Sequence, residues 1–268
     1  RNRLYLGGAI GLPKVEFSET ILHQESPLAD STAVTDWSFN EQLDVEGSGL
    51  NARLGLLWAA TDWLRIGANW ASRSRLALRD TYATDIAANW NNGTATNYSS
   101  PLNRFEYVIY TPARFAVNTA FIMGKYGIVS AEYERTDFRQ GELRPSAFSG
   151  PSAYAFEGEN AAVDRIHTVA HAARVGAEFR IARDYRLRLG AGIAPSPYSQ
   201  AANTVTDATR YHGSLGWAYR GPKWYAGVSY VLTGWSEDLR PWGLPTDNPV
   251  ATLQRRNGMF ALGVGARL

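Results

Sequence analysis

The stretch Met259–Leu268 reads MFALGVGARL and alternates along its length. Phe260, Leu262, Val264, Ala266 and Leu268 share one face, and Ala261, Gly263, Gly265 and Arg267 share the other. Side chains of a β-strand point alternately to opposite faces, so this period marks a strand. One face is wholly apolar and the other is small or charged. A strand with lipid on one side and water on the other carries that division.

Upstream, the same pattern recurs. Trp224, Ala226, Val228, Tyr230 and Leu232 oppose Tyr225, Gly227, Ser229 and Val231. Tyr185, Leu187, Leu189, Ala191 and Ile193 oppose Arg186, Arg188, Gly190 and Gly192. Runs at Leu50–Trp58, Leu64–Ala71, Phe115–Met123, Val175–Ile181 and Gly213–Tyr219 repeat it. Short turns at Ala60–Trp63, Gly124–Gly127, Ala182–Tyr185 and Gly221–Lys223 join such runs into hairpins. Polar segments at Ser18–Asp36, Arg79–Asn103, Arg139–Arg165, Ser196–Asp207 and Ser236–Arg255 read as long loops between the hairpins. Short turns at one end and long loops at the other are the organisation of outer-membrane barrels, with turns periplasmic and loops extracellular. The reading predicts an all-β fold, a transmembrane antiparallel β-barrel of about ten strands with its C-terminus in the periplasm. Residues 1–268 form one barrel domain.

Composition agrees. No apolar run approaches the ~18 residues of a transmembrane helix, the longest being Leu54–Ala60. The net charge of +2 gives no argument for nucleic acid. Lys14, Lys125 and Lys223 are the only lysines, and every other basic residue outside the histidines is arginine, which binds carboxylates and phosphates bidentately. Absent cysteine excludes disulfides and thiol–metal sites. Trp58, Trp63, Phe121, Tyr126, Phe179, Tyr185, Tyr219 and Trp224 gather beside the short turns, as an interfacial girdle does. A soluble β-sandwich or lipocalin-like barrel would also alternate. Its exposed face would carry Lys, Glu and Thr, whereas here the second face is mostly Gly, Ala, Ser, Asn and Arg.

Four segments in order carry a family resemblance: Arg3–Phe17 (RLYLGGAIGLPKVEF), Gly47–Trp70 (GSGLNARLGLLWAATDWLRIGANW), Tyr110–Phe138 (YTPARFAVNTAFIMGKYGIVSAEYERTDF) and Arg174–Tyr198 (RVGAEFRIARDYRLRLGAGIAPSPY). The chain resembles the FadL/TodX/OmpP1 family of outer-membrane transport proteins, in the form found in Bacteroidetes. The third segment is the most specific, and the likeness extends from Arg3 to Leu268. The resemblance implies a barrel of about fourteen strands with an N-terminal hatch in its lumen. It also implies passive uptake of hydrophobic small molecules, such as long-chain fatty acids or aromatic hydrocarbons. The hatch's Asn-Pro-Ala motif has no counterpart here, so no hatch residue is carried over. The resemblance implies that this is the C-terminal part of such a barrel, with the terminal strand closing against a strand upstream of Arg1; the alternative is closure against Arg3–Phe17.

By phase, Arg53, Arg65, Arg114, Glu132, Glu134, Arg174, Glu178, Arg180, Arg186 and Arg188 face the lumen, with Arg73, Arg220 and Arg267 beside them. They are the candidate ligand-binding residues. Arg174, Glu178 and Arg180 lie on one strand and Arg186 and Arg188 on its hairpin partner, close enough for a charge ladder. One reading is structural, charges pairing to fill the lumen. The other is that arginines attract a carboxylate head group while apolar surface holds its tail. Loop aromatics Trp37, Phe39, Tyr82, Trp90, Tyr98, Phe148, Tyr154, Phe156, Trp235 and Trp242 read as loop packing or as capture sites for a greasy ligand.

Enzymatic readings find no support. His167 and His171 are spaced by four on a strand, which gives little for a metal, and His171 falls on the lipid side. There is no Gly-x-Ser-x-Gly elbow or phosphate loop. No catalytic residue, metal or cofactor is expected. The expected partners are outer-membrane lipid and lipopolysaccharide and a hydrophobic ligand. The alternative function is a subunit of an outer-membrane assembly or secretion complex, bound to other envelope proteins.

Overall fold

The computed structural model describes residues 3–26, 33–146, 154–199, 208–239 and 251–266. Its strands are β1 (Leu4–Gly11), β2 (Lys14–Glu25), β3 (Val34–Trp58), β4 (Leu64–Ala71), β5 (Arg75–Trp90), β6 (Ala95–Ser99), β7 (Asn103–Tyr110), β8 (Arg114–Ile122), β9 (Gly127–Asp137), β10 (Glu142–Pro145), β11 (Val169–Arg180), β12 (Tyr185–Ala194), β13 (Arg210–Arg220), β14 (Trp224–Leu239) and β15 (Ala251–Ala266). One helix, α1, spans Glu157–Ile166. All fifteen strands belong to a single sheet, and every pairing in it is antiparallel.

The strands assemble into staves. β3 is unbroken over 25 residues. Its first half pairs with β2 and β5, and its second half with β1 and β4. β1 with β2, β4 with β5, β7 with β8, and β9 with β10 are therefore single staves interrupted partway. With β3 and β11 to β15 they make ten, the number read from the sequence. Among the described residues β15 pairs with β14.

The interruptions fall at one level, residues 12–13, 72–74, 111–113 and 138–141. Pro13 and Pro112 cannot donate to the ladder. Hydroxyls replace the lost bonds. Ser72 Oγ accepts from the Ala52 N–H at 2.9 Å, and Thr111 Oγ1 accepts from the Ser74 N–H at 3.0 Å. Each interruption between β4 and β5 and between β7 and β8 switches the lumen-facing phase from odd to even positions or back, as a bulge does.

Burial separates the two faces. The face that holds Ala116, Thr136 and Ala218 is enclosed, and each of them is only 4% exposed. On the other face Val175 is 57% exposed, Leu215 56% and Trp217 42%. A soluble barrel keeps its large apolar side chains inside. Here they point outward, and the interior is small and polar, which is the arrangement of a wall immersed in lipid. The girdle forms at the turn end, where Trp63 stacks on Phe121 at 6.0 Å, Tyr185 on Trp217 at 5.4 Å, and Tyr219 packs on Trp224 at 4.5 Å.

At the loop end the strands continue through much of what the sequence reads as loop. β2 runs to Glu25, β5 to Trp90 and β14 to Leu239, and β3 begins at Val34. Beyond the bilayer both faces meet water, so alternation disappears while backbone pairing goes on. The segment after β9 folds into β10 and α1, neither of which the alternation signals. Asn160 on α1 satisfies the edge of β10: its Oδ1 accepts from the Leu143 N–H at 2.8 Å, and its Nδ2 donates to Leu143 O at 2.9 Å. Phe156, which precedes α1 with φ of 57°, is held in that strained region by Phe105, Tyr107 and Tyr154. Phe148, Trp242, Arg267, Leu268 and most of the Ser196–Asp207 loop lie outside the described residues.

Candidate functional site

The lumen face of β9, β11 and β12 carries the ladder that the spacing predicts. Register sets Glu132 opposite Arg174 and Glu178 opposite Arg188. Arg174 Nη1 donates to Glu132 Oε1 at 2.5 Å and reaches Glu134 Oε2 at 3.5 Å. Arg188 Nε donates to Glu178 Oε2 at 2.7 Å. Glycine makes the room. Gly192 lies opposite Arg174, and a Cβ there would sit 3.2 Å from Arg174 Cγ. Glu132, Glu134, Arg174, Glu178 and Arg188 are thus paired with one another, three carboxylates against two guanidinium groups.

Arg65 and Arg186 do something else. Arg65 lies four residues after Thr61 and Arg186 four after Ala182, and each folds back over its turn. Arg65 Nη1 donates to Thr61 O at 2.6 Å. Arg186 Nη1 donates to Ala182 O at 3.4 Å, Arg183 O at 3.3 Å and Tyr185 O at 3.0 Å. Arg186 is buried, and its Nε comes within 3.9 Å of Glu178 Oε1. Both cap a turn, a role that phase alone does not reveal, and Arg65 also lines a groove on the lumen face. Arg73 also departs from the lumen set. It sits in the break after β4, where its Nη2 donates to Glu142 Oε2 at 2.8 Å and to Gln140 O at 2.9 Å. Its guanidinium lies 4.8 Å from the centre of the Tyr110 ring, whose other cation is Arg144 at 5.1 Å. Arg144 and Arg73 hold the Glu142 carboxyl below its ordinary range.

Arg53 and Arg114 remain. Both pair across to Ala71, one from β3 and one from β8, so they flank a small residue on the lumen face. Two strand spacings place their Cα atoms about 10 Å apart. Among the described residues neither makes an ion pair, and both are exposed to the lumen. Asn69, opposite Ala116, and Asn118, opposite Gly67, lie on the same face of these adjoining strands and supply further polar groups. Beside them a groove of about 520 Å³ runs toward the ladder, lined by Leu57, Asn118, Ala120, Ser130 and Ser214. Arg180 lies at the turn end, opposite Arg186. The ten candidates therefore separate into a paired ladder, two turn caps, a peripheral Arg180 and an uncommitted pair. The asparagines are missed by a search for charge, although their phase is legible.

The loop aromatics mostly satisfy one another or nearby polar groups. Trp37 Nε1 donates to Glu25 Oε2 at 3.2 Å, Tyr82 OH to Glu41 Oε1 at 3.2 Å, and Trp90 Nε1 to Thr96 Oγ1 at 3.2 Å. Tyr107 donates to Asp80 Oδ1 at 3.0 Å, and burial together with that carboxylate pushes its phenol up to about 12.

The fold, with large apolar side chains outward and a polar lumen, is that of an outer-membrane-type β-barrel. No protein-family model matches the sequence, and no curated protein does. Among solved structures the chain is similar to the CymD monoaromatic hydrocarbon channel, with TM-score 0.57 and 13% identity over 100% of this chain and 70% of that one. It is also similar to the Pseudomonas putida toluene transporter TodX, with TM-score 0.57 and 14% identity over 99% of this chain and 66% of that one. The chain thus spans about two thirds of the length of each. TodX is one of the proteins for which the resembled family is named, so the fold read from the sequence and the fold found agree.

Proposed function

We propose that this chain forms the wall of an outer-membrane channel for passive uptake of hydrophobic small molecules. The fold it shares with a hydrocarbon channel and a toluene transporter carries that reading. Those neighbours also support a non-enzymatic role. The turn end, with its aromatic girdle, faces the periplasm and takes the C-terminus with it.

The lumen refines the substrate class. The arginines of the ladder already have carboxylate partners. Among the described residues Arg53 and Arg114 have none, and a fatty-acid carboxylate fits between them while its tail lies along Leu57 and Ala120. The proposed cargo is an amphiphile with one carboxylate, with long-chain fatty acids the natural example. The test is uptake of radiolabelled oleate by cells with and without the protein. Faster uptake with the protein is expected. Unchanged uptake, with the protein held in a fixed stoichiometry by other envelope proteins, would replace this reading with the complex-subunit role.

A further inference from the structure

Charge on the lipid-facing side of a barrel is costly except near the interfaces. Arg135 and His171 lie on that side, directly opposite each other on β9 and β11. Arg135 is also opposite Phe115, and Tyr133 opposite Val117, both outward-facing and exposed. His171 is nine residues along β11 from Arg180 at the turn end. At about 3.3 Å per residue and a tilt near 40°, that lifts it roughly 23 Å, the top of a band about 25 Å tall. The pair thus sits where acyl chains give way to head groups.

The cluster is organised. The Tyr133 hydroxyl bonds His171 Nδ1 at 2.5 Å, and the rings stack at 5.8 Å. With the hydroxyl donating, the ring proton lies on Nε2, beyond the Tyr133 contact. The nearest acid on this face, Asp137, is hydrogen-bonded to Arg139 at 2.9 and 2.8 Å and feels Arg135 only as a weaker, longer-range charge. Among the described residues Arg135 makes no ion pair and is exposed. Below, Val117 and Val175 offer an apolar surface.

We propose that Arg135, His171 and Tyr133 form a binding site for the phosphate of an outer-leaflet glycolipid of the lipid A type, whose acyl chains lie on Val117 and Val175. The chemistry is a phosphomonoester held by a guanidinium and a ring N–H at the head-group level, with hydrocarbon beneath. The proposal rests on the orientation given above, with the turn end periplasmic. Its role is to seat the barrel in the asymmetric bilayer, a role independent of cargo.

The test is native mass spectrometry of the detergent-solubilised chain, titrated with bisphosphorylated lipid A, dephosphorylated lipid A, phosphatidylglycerol and inorganic phosphate in turn. Bisphosphorylated lipid A is expected to bind most tightly. Arg135→Ala should weaken it roughly tenfold or more, the effect of one lost charge-assisted bond. His171→Ala and Tyr133→Phe should weaken it less, and Arg220→Ala on the lumen face should leave it unchanged. Heat-modifiable gel mobility checks folding, and Arg135→Gln replaces Arg135→Ala if the latter fails it. Wild-type affinity in the Arg135 variant would overturn the proposal. So would equal binding of dephosphorylated lipid A, of phosphatidylglycerol or of phosphate alone. The assay reads lipid binding and not uptake, so its failure leaves the transport reading standing.

Discussion

Leu189 is the most exacting position at which to test the lipid-facing assignment. It is outward on β12, opposite Ala177 and Leu215 on the adjoining strands. It is four residues from Tyr185 at the turn end. That is about 14 Å along the strand and about 10 Å of height, close to the middle of a band about 25 Å tall. Ile193, on the same face, is four residues further. Its height is about 21 Å, near the far interface. Leu189→Arg should therefore cost about 2–4 kcal/mol, and Ile193→Arg about 0–1 kcal/mol. Leu57→Arg, on the lumen face opposite Gly67, should stay within about 0.5 kcal/mol, as at an open polar surface. The measurement is guanidinium unfolding of the three variants in phospholipid vesicles, followed by tryptophan fluorescence. Equal costs at Leu189 and Ile193, or a larger cost at Leu57, would refute the reasoning. Either result would mean that the large apolar face is not the one in lipid, as in a soluble barrel.

Other outcomes follow from the lumen and the break. Arg53→Ala and Arg114→Ala should each slow oleate uptake by up to about fivefold, because the pair is wet and screened, and leave toluene uptake unchanged; Arg174→Ala should change selectivity less. Equal effects on both cargoes, measured side by side, would remove the carboxylate role. Arg186→Ala strips the donors from three turn carbonyls and should cost about 1–3 kcal/mol in the same unfolding assay, with Arg65→Ala costing less because fewer carbonyls depend on it. Glu142 titrates below its ordinary range because of Arg144 and then Arg73. A depressed carboxylate stabilises above its unfolded pKa, and that contribution is lost as pH falls through the lower folded value. Amide exchange over residues 138–145 should be constant from pH 7 down to about 5 after correction for intrinsic rates, and should quicken below about 4. Glu142→Gln should show the quickened exchange already at pH 7; matching wild-type exchange in that variant would exclude the joint.

Legibility followed the solvent. Where one face met lipid and the other water, as at Tyr185–Ala194, alternation exposed strand, phase and lumen residue together. Above the membrane, as at β5 and β6, both faces are wet and the pattern dissolved, so paired strands read as a loop. The ladder was legible because hairpin register follows from a short turn. The turn-capping roles of Arg65 and Arg186 were not, because the same phase also fits a ligand-binding arginine.

By itself, then, the sequence of this protein determined an inside and an outside: which residues meet lipid, which meet water, and where the short turns reverse the chain. Those properties are local, set by a two-residue period and by turn chemistry. Only the tertiary structure decided which charges cancel. It paired Arg174 with Glu132 and Arg188 with Glu178, joined Arg73 to Glu142 across the break, and left Arg53, Arg114 and Arg135 uncommitted. Pairing depends on register between strands far apart in the chain and on the bulges that reset it, and neither is a property of any one strand.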